Sequence, residues 1–81
     1  MNVVQLAGML PRDPLFRAWL CDIGSVDDVT AETAAEWIRV VCGVSSRREL
    51  ATDPEAAYLF EIHVRRPFVK WRADHLMAAE H

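Results

Sequence analysis

The side chains with the most evident chemical potential lie in the second half of the chain. Between Ser45 and Trp71 it reads SSRRELATDPEAAYLFEIHVRRPFVKW, with Arg47 and Arg48 ahead of an alanine-rich segment and Arg65, Arg66, Lys70 and Arg72 at its far end. Guanidinium and ammonium groups in this number can contact phosphates or grip the carboxylates of a protein partner. Trp71 stands among them, and a tryptophan exposed beside arginines is a typical centre of a protein-binding surface. A plainer reading competes. At 100° per residue Arg65, Lys70 and Arg72 spread over a broad arc, and Glu61 precedes Arg65 by four residues, the pattern of a solvated helix face with pairing along the helix. Arg66, just before Pro67, has a further option, which is to set its guanidinium against the terminal carbonyls of a neighbouring helix.

Other chemistry finds little support. The histidines His63, His75 and His81 form no i, i+4 pair, and Cys21 and Cys42 are twenty-one positions apart with no CxxC, so neither a zinc site nor another metal or cofactor is expected. Each cysteine sits among apolar residues and reads as a buried, reduced thiol. Neither has a histidine, lysine or arginine beside it in sequence, and no Gly-rich phosphate loop or GxSxG turn occurs, so no catalytic residue is assigned and the chain reads as a non-enzyme.

The elements that would position these side chains must come from one small domain. At 81 residues the chain is expected to bury only about 60 to 65% of its unfolded surface. An apolar content of 52% with three tryptophans argues against disorder, and the net charge of −3 gives no general attraction to nucleic acid or anionic membrane. The charge is divided: residues 1–36 balance at −4 and residues 37–72 at +3, so one face can be basic in an acidic protein. The first apolar run lacks a basic leader and stops at Pro11, and no segment reaches the roughly 20 apolar residues that span a bilayer, so a cytoplasmic location is expected.

The local signals are helical. Val3 to Leu10 fits a strand or a helical turn or two, with helix favoured. Asp13 and Pro14 mark a helix start, and Leu15, Phe16, Trp19, Leu20 and Ile23 form one stripe that should end at Gly24. A helix over about Ala31 to Cys42, capped from Ser25 or Thr30, turns Ala34, Trp37, Ile38, Val41 and Cys42 to one side and ends at Gly43. The sequence SRRE is a capping box on Ser46 and Glu49 that opens a short helix over Arg47 to Ala51. Asp53 and Pro54 start a last helix with apolar positions Ala57, Phe60, Val64, Phe68 and Trp71. That rhythm passes through Pro67 in phase, which predicts a kinked continuous helix or two nearly coaxial ones. The pattern thins beyond Ala73.

The fold expected is therefore all-α, a single compact domain over residues 1–76 with four or five short helices and a frayed tail at 77–81. The aromatic set Trp19, Trp37, Phe60, Phe68 and Trp71 is its expected core. The CGVSSRREL stretch has the outline of a helix-turn-helix, but Arg39 and Glu49 would then be charges between two packed helices, so an ordinary helical corner is expected instead.

Two resemblances bear on function. MNVVQLAGMLPRDP is similar to the opening of single-stranded-DNA-binding proteins of the OB-fold type, but only over fourteen residues, and LFRAWLCDIG replaces the strands that should follow. Ser46 to Trp71, in which a Ser-Arg segment leads into Glu-Leu, Asp-Pro, an alanine-rich turn, a phenylalanine and Arg-Pro-Phe, resembles small helical proteins encoded by bacteriophages and prophages. That resemblance implies a cytoplasmic accessory protein and carries over no catalytic residue. The reading that follows is a non-enzymatic protein–protein interaction module of phage or prophage origin, with nucleic-acid binding through the same arginines as the alternative. The surface expected to bind comprises Arg47, Arg48, Arg65, Arg66, Lys70, Trp71 and Arg72.

Overall fold

Asp13, Ser46 and Asp53 each sit where a helical segment begins, and each caps it. The computed structural model describes residues 2–79, which are helical apart from short connections, with no strand among them. Helix α1 spans Val3–Met9 and α2 spans Pro14–Gly24, joined by a 3₁₀ turn over Leu10–Arg12. Helix α3 spans Ala31–Cys42, a second 3₁₀ turn covers Arg47–Ala51, and α4 begins at Pro54 and runs to Phe60. A π segment, Glu61–Arg65, carries α4 directly into α5, Arg66–Ala79.

The caps account for these starts. Asn2 caps α1, exchanging hydrogen bonds with Gln5 and resolving the first apolar run as helix. Asp13 accepts from the amide of Leu15, and Asp53 from those of Glu55 and Ala56. Thr30, and not Ser25, caps α3 by accepting from Thr33. At the second 3₁₀ turn the Glu49 carboxylate accepts from the amides of Ser45 and Ser46 at 2.7 and 2.8 Å, while the Ser46 hydroxyl accepts from Arg48. The stop signals fall less evenly. Gly43 takes the left-handed conformation that ends α3, but Gly24 remains helical and the left-handed position after α2 falls on Ser25, at φ 53°.

The core joins all the helices. Phe16 and Trp19 of α2 meet Phe68 of α5 at ring-centroid distances of 5.2 and 5.8 Å, and Trp19 meets Trp37 of α3 edge-on at 5.6 Å. Ala7, Leu10, Leu20, Val29, Ala34, Ile38, Cys42, Leu50, Ala56, Phe60 and Val64 complete it. Trp37 and Trp71, expected inside, are only half-buried against this core, and Ile23 of the α2 stripe is exposed. A domain of this size has too little interior for every large apolar side chain. Cys42 is buried as expected, whereas Cys21 is half-buried; both are free thiols.

The interruption expected at Pro67 takes the form of the π segment on its N-terminal side. Proline has no N–H to donate, and its ring crowds the carbonyl four residues back. Here the register widens before the proline is reached, and the amide of Arg66 bonds to the carbonyl of Glu61, five residues earlier. The widening also selects which side chains are buried. Ala56, Phe60, Val64 and Phe68 are all buried at steps of four, and Ala57, expected inside, is half-buried. In an unbroken α-helix each step of four drifts by about 40°, and a turn that holds more residues offsets the drift. The twenty-six residues from Pro54 to Ala79 make a rod of about 39 Å at 1.5 Å per residue, which matches the 42 Å long axis of the molecule. The chain is thus still helical through Ala79, past the point where the apolar pattern thins; Glu80 and His81 lie outside the described residues.

Candidate interaction surfaces

The basic residues singled out in the sequence lie on two elements, the second 3₁₀ turn and the long rod. Arg65 and Arg66 lie on the long rod and both bond to the carboxylate of Glu61, Arg66 at 3.3 Å. These two guanidinium groups hold the Glu61 carboxyl down to about 2, the hydrogen bond from Arg65 being the larger influence. Arg66 therefore pairs along its own helix rather than reaching the end of a neighbour. Lys70 pairs with Asp74 at 3.2 Å, and the Arg72 guanidinium lies 5.4 Å from the centroid of the Phe68 ring. Carboxylates are thus interleaved with this basic group.

Trp71 is held from two sides. Its indole Nε1 donates to the Asp22 carboxylate of α2 at 3.2 Å, and its ring stacks on His75 at 4.8 Å and 11°. Cys21, Asp22, Trp71 and His75 share one open cleft between α2 and α5. The types suit a Cys-His-Asp relay, but the bonding does not: Asp22 is engaged by the tryptophan, and no hydrogen bond joins Cys21, Asp22 and His75 among the described residues. No group of three or more potential metal-ligating residues occurs among them either.

Beyond Arg72 the rod still borders α2 at His75, but residues 73–77 are all exposed. Val69, Ala73, Leu76 and Met77, at spacings of four, three and one, fall within an arc of about 100° that faces away from buried Phe68. Val69, Leu76 and Met77 are 37%, 49% and 61% exposed.

Arg47 and Arg48 lie on the second 3₁₀ turn. This element is a single five-residue 3₁₀ turn, so the corner after α3 offers no second α-helix of the kind that enters a DNA groove. Arg47 instead extends across Gly8 of α1, where a Cβ would stand 2.8 Å from its Cζ. It borders a cleft of about 450 Å³ between α1, α3 and the two 3₁₀ turns, together with Arg12 and Arg39. The binding surface expected from the sequence did not include Arg12 or Arg39. The signal that points to them is the row Ala31, Ala35, Arg39 at i, i+4, i+8 and the pair Gly8, Arg12 at i, i+4: small residues that keep a helix face low, followed by a long cation on the same side.

Compared with family models, with curated proteins and with solved structures, the chain matches none.

Proposed function

We propose that this chain is a non-enzymatic interaction module that binds another protein through its C-terminal helix, in the cytoplasm of a cell carrying a phage or prophage genome. The observation that supports it is the apolar stripe of Val69, Ala73, Leu76 and Met77 on the exposed part of α5, bordered by Arg72 and Lys70. An amphipathic helix that presents apolar anchors at i, i+4, i+7 and i+8 suits insertion into a groove on a partner, with cations as a steering rim. No helix among the described residues is long and apolar enough to cross a membrane, in keeping with this setting. Phosphate binding by the same arginines is less favoured, because Glu61 and Asp74 stand among them and would repel a polyanion.

The test is affinity capture with cross-link mapping, at low and physiological salt and with and without nuclease, using the wild-type chain and Leu76→Glu. A protein cross-linked to α5 by the wild type, retained in nuclease and salt and lost with Leu76→Glu, is the expected result. Capture that disappears on nuclease treatment would replace this reading by the nucleic-acid one.

A further inference from the structure

The cleft between α1, α3 and the second 3₁₀ turn shares no lining residue with α5, and its chemistry is different. Arg12, Arg39 and Arg47 all line it, and among the described residues none of the three makes an ion pair or a side-chain hydrogen bond. Elsewhere Arg65, Arg66 and Lys70 find carboxylates on their own helix. The one carboxylate in the cleft, Glu32, pairs with none of the three. Three guanidinium groups without an ion pair, against the one carboxylate of Glu32, make this concavity locally positive in a protein of net charge −3.

The floor is apolar and low. Ala7, Gly8, Pro11, Ala31, Ala35 and Ile38 form it. Such a floor accepts a close backbone and small apolar side chains, and arginine forks on the rim suit carboxylates, which they bind with paired hydrogen bonds. No aromatic side chain lines the cleft on which a base could stack, and Glu32 opposes a dense polyphosphate. From these features we infer that the cleft is a docking site for an acidic segment of a partner protein, with carboxylates held by Arg12, Arg39 and Arg47 and intervening apolar side chains on the Ala-Gly floor. Gly8 is part of the site: the absence of a side chain there lets the Arg47 guanidinium lie across α1.

The probe is a short fluorescein-labelled peptide alternating glutamate and leucine, titrated into the full chain by fluorescence anisotropy at low salt. A lysine-for-glutamate peptide, inorganic phosphate and single-stranded DNA are tested in parallel. The acidic peptide should bind saturably, and the basic peptide should not. Arg39→Gln should weaken binding on the order of tenfold, as expected for one lost charge-assisted contact. Gly8→Ala, which keeps every charge and displaces only the Arg47 guanidinium, should also weaken it, and Leu76→Glu should leave it unchanged; circular dichroism confirms that each variant is folded. The inference is overturned if the acidic peptide fails to bind wild type, if both cleft variants bind it normally, or if phosphate or DNA competes it away at comparable concentration. It is also overturned if sedimentation shows that a second copy of the chain occupies the cleft. None of these results alters the expected behaviour of Leu76→Glu in partner capture, so the two readings fail separately.

Discussion

Trp71 and Asp22, forty-nine residues apart in sequence, are joined by a 3.2 Å hydrogen bond that ties helix α5 to the end of α2. The remaining side-chain hydrogen bonds among the described residues are local, within five positions. The bond is exposed and the indole half-buried, so its contribution is modest and separable from packing. Trp71→Phe, which keeps a ring against Phe68 and removes the donor, should cost about 0.5 to 1.5 kcal/mol by urea denaturation. Trp71→Ala should cost more, yet less than the about 3 to 5 kcal/mol expected of the fully buried Phe60→Ala. Equal costs for Trp71→Ala and Phe60→Ala would place the indole in the core.

Glu61 gives the pH dependence a definite direction. Its carboxyl, ordinarily near 4.5, is held at about 2 by Arg65 and Arg66 in the folded chain. A folded value below the unfolded one means that the contribution to stability is full above about pH 4.5 and is lost as the pH falls toward 2. The melting temperature of wild type should fall over that window more steeply than that of Glu61→Gln, and the difference should shrink in high salt because the groups are solvated. Arg66→Ala should change the melting temperature at neutral pH little, since among the described residues its guanidinium bonds only to Glu61 and is exposed. Parallel acid profiles for wild type and Glu61→Gln would remove this ion pair from the account.

The two cysteines should differ in reactivity. Cys42 is buried, and burial pushes its thiol up, so it offers little thiolate at neutral pH; Cys21 is half-buried in the open cleft beside Trp71. Under native conditions a thiol reagent should modify Cys21 first and Cys42 only after denaturant is added, as read by mass spectrometry. Cys42→Ala should cost on the order of 1 kcal/mol without preventing folding. Rapid labelling of both thiols in the native protein would contradict the burial of Cys42.

Sequence reasoning located the helix starts because the determinants are local: Asp13, Ser46 and Asp53 need only the amides two or three residues ahead. The left-handed position on Ser25 rather than Gly24 was not legible, since the period of α2 alone does not fix its last turn. Nor was the exchange of Ala57 for Ala56, which depends on the π segment and so on how Pro67 is accommodated. For the candidate sites the gap is larger. Arg65, Arg66 and Lys70 lie within six consecutive residues, yet they find carboxylates on their own helix. Arg12, Arg39 and Arg47 are far apart in sequence, and only the packing of α1 against α3 and the second 3₁₀ turn gathers them. The exposed stripe on α5 was missed for a related reason, because Leu76 and Met77 follow the point where the core-facing pattern thins.

Gly8→Ala separates what the glycine contributes to folding from what it contributes to the cleft. Gly8 lies inside α1 with ordinary negative φ, where alanine is favoured by about 0.5 to 1 kcal/mol. The atoms that a new Cβ would meet are Arg47 Nη1, Cζ and Nε, the end of a long and exposed side chain that can swing aside. Among the described residues Arg47 has no ion pair to lose in doing so, and the backbone of neither element need move. The variant should therefore be more stable than wild type by about 0.5 to 1 kcal/mol in urea denaturation, while its affinity for the acidic peptide falls. A stability loss instead would show that the Arg47 stem is packed against α1 and helps to hold the second 3₁₀ turn in place, and the guanidinium would then be a structural brace on Gly8 rather than a group held ready for a ligand.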